Sequence, residues 1–242
     1  MKKLTYLTVA SYFLTVFSMF GEKVSSKEVE SMFEQKVKLW KESITPKVIP
    51  GQINVSSDRK INTKEFHDLS ALGPRILPLI FEKRKNDHLL TFLIPSITKA
   101  YAENYFVKKS QVYLWYDYPS FSYTPKYLWQ SKGIKEEKDF WTYWWEDGRK
   151  LTPELFQKKY SLYLNAQKEN NKENIKKYFE EVKNLGIVAF PQLLAEITKG
   201  DKSLIPIFSY WNNADTPSDA RIEDCVKWWN ENKHQYADVL SY

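Results

Sequence analysis

The chain has 242 residues, 16% of them aromatic, a single cysteine and a formal charge of +6. One cysteine excludes a disulfide framework, so the core must hold the fold, and this length suffices for one well-buried domain or two small ones. Charges of both signs alternate along the chain, which excludes the concentrated basic face that a nucleic-acid partner would need.

Met1-Lys2-Lys3 is followed by an uncharged run from Leu4 to Phe20, with small residues at Ser18 and Gly21. A basic start, an apolar middle and a small-residue end predict a secretory signal peptide over residues 1–24. The expected mature chain, residues 25–242, is then secreted or held in the cell envelope. The alternative is a leader that stays uncut as an anchor. The run is rich in Thr, Ser and Tyr and makes a weak span, and no stable membrane span is expected once the leader is cleaved. Loss of Lys2 and Lys3 takes the formal charge from +6 to +4.

Ser25-x-x-Glu28 has capping-box spacing and opens a helix to about Ser43, with Val29, Met32, Phe33, Val37 and Trp40 on one face. Pro46, Pro50, Gly51 and the polar residues to Asn62 read as a loop. Asn62-x-x-Glu65 opens a helix through Phe66, Leu69 and Leu72 that stops at Gly73. Lys135 to Asp147 reads as a helix stopped by Gly148. Thr152-Pro153-Glu154 supplies a cap, a proline for the first turn and an acid for the positive end of the next helix. That helix carries Leu155, Phe156, Tyr160, Tyr163 and Leu164. After a polar break from Gln167 to Lys172, Ile175, Tyr178, Phe179, Val182 and Leu185 lead to Gly186. Thr216-Pro217-Ser218-Asp219 predicts a last cap, for a helix through Ile222, Cys225, Val226 and Trp229.

One stretch occurs twice. Leu72-Gly73-Pro74-Arg75-Ile76-Leu77-Pro78-Leu79-Ile80 returns as Leu185-Gly186-Ile187-Val188-Ala189-Phe190-Pro191-Gln192-Leu193. Each copy reaches an aspartate, Asp87 or Asp201, and then Leu93-Ile94-Pro95 or Leu204-Ile205-Pro206. Each ends in paired tryptophans, Trp144-Trp145 and Trp228-Trp229, which set Trp141 opposite Cys225. A glycine at positive φ ends one helix, the next begins at once, and the aspartate caps a third. Such a unit buries its apolar face only against a neighbour. The spacing predicts two related units, about 63–148 and 172–234, within one α-helical domain. It also puts Trp145 and Trp229 on inward faces.

Leu-Gly, a proline and an apolar run, then an acidic turn opening a second helix, resembles the HEAT-type α-helical repeat over residues 69–98 and 182–211. The resemblance implies an all-α fold of the α-α superhelix kind. The copies lie 113 residues apart, Gly73 to Gly186, so the expected form is a compact helical domain with two decorated repeats.

The first copy carries extra residues, and these are aromatic. Between Ala100 and Gly133 the candidate binding residues are Tyr113, Trp115, Tyr116, Tyr118, Phe121 and Tyr123. Exposed rings of this kind stack on sugars or anchor a protein partner, and buried ones cover a core. His67, His88 and His234 are scattered without metal-ligand spacing, Cys225 has no histidine near it, and Glu146-Asp147 is an adjacent acidic pair. No catalytic residue, metal or cofactor is expected. The favoured expectation is a non-enzymatic extracytoplasmic helical-repeat protein that binds a protein partner. The alternatives are a cell-envelope glycan-binding module using the 101–129 aromatics, and an envelope enzyme with a dispersed site.

Overall fold

The computed structural model describes residues 26–45, 60–101 and 140–241. The expected leader lies outside the described residues. All the regular structure among the described residues is helical, as the capped amphipathic pattern requires.

Helix α1, Ser26–Ile44, turns Val29, Phe33, Val37 and Trp40 inward, and packs along α2, Lys64–Ser70. The cap of α2 is Thr63, whose hydroxyl accepts from the Phe66 amide at 3.1 Å, so the helix starts after Thr63 rather than at Asn62. Gly73 ends this segment at φ 75, ψ −165, and a short 3₁₀ turn, Pro74–Ile76, leads into α3, Leu77–Lys83. A second 3₁₀ turn, His88–Phe92, leads into α4, Leu93–Thr98. The described chain resumes with α5, Phe140–Glu146.

The same order follows in the second copy. Helix α6, Thr152–Lys168, packs along α7, Lys172–Lys183, whose cap Asn171 accepts from the Asn174 amide at 3.1 Å. Gly186 takes φ 75, ψ −171, the conformation of Gly73 to within a few degrees. A 3₁₀ turn, Ile187–Ala189, gives way to α8, Phe190–Thr198, and another, Lys202–Leu204, to α9, Ile205–Trp211. Helix α10, Ile222–Asn232, then packs on α8. A turn at Lys233–Tyr236 and the short α11, Ala237–Leu240, return to the first copy, against Pro74–Ile76 and α3.

The leading helices match as well. Val29, Phe33, Val37 and Trp40 in α1 have the spacing of Thr152, Phe156, Tyr160 and Tyr163 in α6, and all eight are buried. Each leading helix also holds the turn aspartate of its own copy. Lys41 pairs with Asp87, and the Tyr160 hydroxyl donates to Asp201 at 2.8 Å. Asp201 caps its turn through the Ser203 amide, but the Asp87 side chain makes no cap bond, contrary to the sequence expectation.

Three further expectations are corrected. Thr152 is the first residue of α6, not its cap, and its hydroxyl turns back to the Arg149 carbonyl at 2.6 Å. Helix α10 is capped by Arg221 and Asp224 together, so Thr216–Asp219 precede it as a turn. Of the first tryptophan pair, Trp144 is the fully buried member and Trp145 is half-buried. Trp144 takes the inner place because its ring fits between Phe81, at 6.3 Å, and Trp141, at 5.7 Å.

One hydrophobic cluster runs through both copies among the described residues. In the second copy it centres on Phe190, whose ring lies within 5.8 Å of those of Phe208, Trp211, Trp228, Trp229 and Tyr236. In the first, Phe81 stacks on Trp145 at 4.5 Å, and the Arg149 guanidinium lies over Trp145 at 3.9 Å.

Candidate binding surface where the copies meet

The two copies meet backbone against backbone at Gly186. A Cβ added there would lie 2.3 Å from the Thr98 carbonyl oxygen and 2.7 Å from the Ala100 amide nitrogen. The Tyr101 amide continues the contact by donating to the Asn184 carbonyl at 2.9 Å. Glycine is required twice over, by the positive φ and by the approach.

This seam carries an unusual surface. The large hydrophobic residues left exposed among the described residues are Leu39, Tyr101, Leu162 and Tyr210, and the two tyrosines both flank Lys183–Asn184. Tyr101 is 48% exposed and Tyr210 42%. Tyr210 lies on the outer face of α9, whose inner face is Ile205, Ile207, Phe208 and Trp211. The Trp211 indole anchors that helix by donating to the Lys183 carbonyl at 2.8 Å. The Lys183 ammonium then lies 5.2 Å from the Tyr210 ring centre and pairs with Glu180. The Lys99 ammonium comes from the other copy to 5.9 Å of the same ring. Lys99 caps α4 at φ 54, ψ 15, and burial lowers its amine below the ordinary lysine range.

The sequence-predicted binding residues Tyr113, Trp115, Tyr116, Tyr118, Phe121 and Tyr123 lie outside the described residues. Tyr101 is the last described residue before them. His67, His88 and His234 are exposed on separate elements, as are Glu146 and Asp147 at the end of α5. Among the described residues no group of three or more His, Cys, Asp or Glu is placed to hold a metal. Cys225 is fully buried, and burial pushes its thiol up to about 11. It is a core residue rather than a nucleophile.

Sequence reading does not find the Lys99, Tyr101, Lys183 and Tyr210 surface, because its members are far apart in the chain. A usable signal is Tyr210, a large aromatic off the apolar face of its own helix. No helix among the described residues is long and apolar enough to cross a membrane. Compared with models of protein families, with curated proteins and with solved structures, the chain matches none.

Proposed function

We propose that the chain is a non-enzymatic helical-repeat interaction protein of the HEAT-like, α-α superhelical kind, exported from the cytoplasm, which binds a protein partner where its two copies meet. The observation that carries this reading is the pair of exposed tyrosines, Tyr101 and Tyr210, on a molecule that buries most of its other described aromatic rings. Tyrosine gives large, stiff contact area with a polar tip and is enriched where interfaces gain most of their affinity. Backbone contact at Gly186 and the bonds of Tyr101 to Asn184 and of Trp211 to Lys183 bring the two rings to one side of the same seam, which lowers the ordering cost of binding. The basic start and uncharged run at residues 1–20 support export.

The test is retention from envelope extract on the immobilised full-length protein and on a Tyr101→Ala/Tyr210→Ala variant with unchanged melting. A protein retained by the parent and lost by the variant is the expected result. Retention of the parent on insoluble glycan, undiminished in the variant, with no protein captured, would replace this reading with the glycan-binding one.

A further inference from the structure

We infer that the surface between the copies binds an acidic peptide segment, the Lys99 ammonium meeting a carboxylate while the Tyr101 and Tyr210 rings hold the apolar residues beside it. This rests on the interaction reading and names the chemistry of the partner.

Two independent features meet at Lys99. Its backbone is left-handed, a helix-end conformation usually given to glycine or asparagine. The helix end favours a positive charge, but a residue with a β-carbon adopts this left-handed backbone only at a conformational cost that glycine or asparagine would lessen. Its side chain is also half-buried, and among the described residues its ammonium has neither an ion pair nor a hydrogen bond, only the Tyr210 ring. A partly desolvated ammonium without a carboxylate costs free energy that a bound anion would return. The neighbouring cation is already matched, since Lys183 pairs with Glu180. Among the described residues Lys99 is therefore the cation of this cluster without a carboxylate partner.

The same geometry argues against a sugar at this ring. Stacking a sugar needs an open aromatic face, and two ammonium groups approach that of Tyr210, at 5.2 and 5.9 Å from its centre. A carboxylate beside an apolar side chain fits better, because it contacts the ammonium and leaves the ring edge to its neighbour.

Fluorescence anisotropy on the full chain tests this with a labelled peptide of alternating glutamate and leucine. The control replaces each glutamate by glutamine, and oligogalacturonate is the glycan arm. The expected result is binding of the acidic peptide over the neutral one, weakened by added salt. Lys99→Asn, which keeps a residue suited to the left-handed backbone, should weaken it about three- to tenfold, as should Tyr210→Ala. Lys99→Gly repeats the test if the asparagine variant does not melt like the parent. Equal binding of the two peptides, an unaffected Lys99→Asn protein, or preference for oligogalacturonate would overturn the inference. A neutral protein captured through Tyr101 and Tyr210 would overturn it alone and leave the interaction reading standing.

Discussion

Gly73 and Gly186 share a backbone conformation that is essentially restricted to glycine, yet their surroundings differ. A Cβ at position 73 meets only the Gln235 side chain, at 3.9 Å, whereas at position 186 it strikes backbone. Gly73→Ala should therefore cost the conformational strain alone, about 1–3 kcal/mol. Gly186→Ala should cost clearly more, because the two copies must part to admit the methyl group. Urea unfolding of the two variants measures this, and equal midpoints would show that the contact at Thr98 and Ala100 yields easily. Both glycines are legible in the sequence because no other residue suits their conformation. The close approach at Gly186 is not, since Thr98 and Ala100 lie too far back in the chain for spacing to reveal it.

At the scale of elements, the matching turns were readable because they pair Leu-Gly with a proline at fixed spacing. The match of α1 to α6 was less so. In sequence α1 and α2 stand far apart, from Ile44 to Lys64, while α6 and α7 are separated only by Glu169–Asn171, and the unequal spacing hides the common register. The buried face of α5 was misread for a different reason. The i+4 relation to Trp141 selects Trp145, but a helix of 7 residues is set by its neighbours, and Trp144 fills the space between Trp141 and Phe81. Trp144→Ala should lower stability by about 3–5 kcal/mol, the usual cost of emptying a large buried aromatic site. Trp145→Ala should cost less, because part of its ring already faces solvent. Thermal unfolding ranks the two, and the reverse order would restore Trp145 as the core member.

For the molecule as a whole, the titrating groups predict weakness in alkali. Burial raises the hydroxyls of Tyr160, Tyr236 and Tyr143 above their ordinary 10.0, with Asp201 adding to the effect at Tyr160, and it raises the Cys225 thiol from 9.0 to about 11. A raised folded value means that the native state keeps its proton when the unfolded chain has lost it. Stability is then full below pH 9 and declines as pH rises past the ordinary values of these groups. Lys99 acts the other way, but it is one half-buried group against four. Urea midpoints at pH 8, 10 and 11 should fall in that order, with a shallower fall from 8 to 10 in Cys225→Ala. A flat profile would mean that these sites open to water without unfolding. The all-α class was legible throughout, because capping and helical periodicity are local. The surface where the copies meet was not, because it exists only once they are docked.

The return of α11 to the first copy has a consequence for how the chain acquires its shape. Arg149 lies almost buried in the 3₁₀ turn Gly148–Leu151 between α5 and α6, stacked on Trp145, and donates to the carbonyls of Asp238 and Val239 at 2.7 and 2.9 Å. Those carbonyls belong to residues 89 and 90 positions later. The copy made first therefore cannot close its apolar surface when its own residues are complete. It waits, partly uncovered, until the last helix arrives, and contacts that span so much chain are slow to form. Until then the uncovered flank of the first copy is open to wrong contacts.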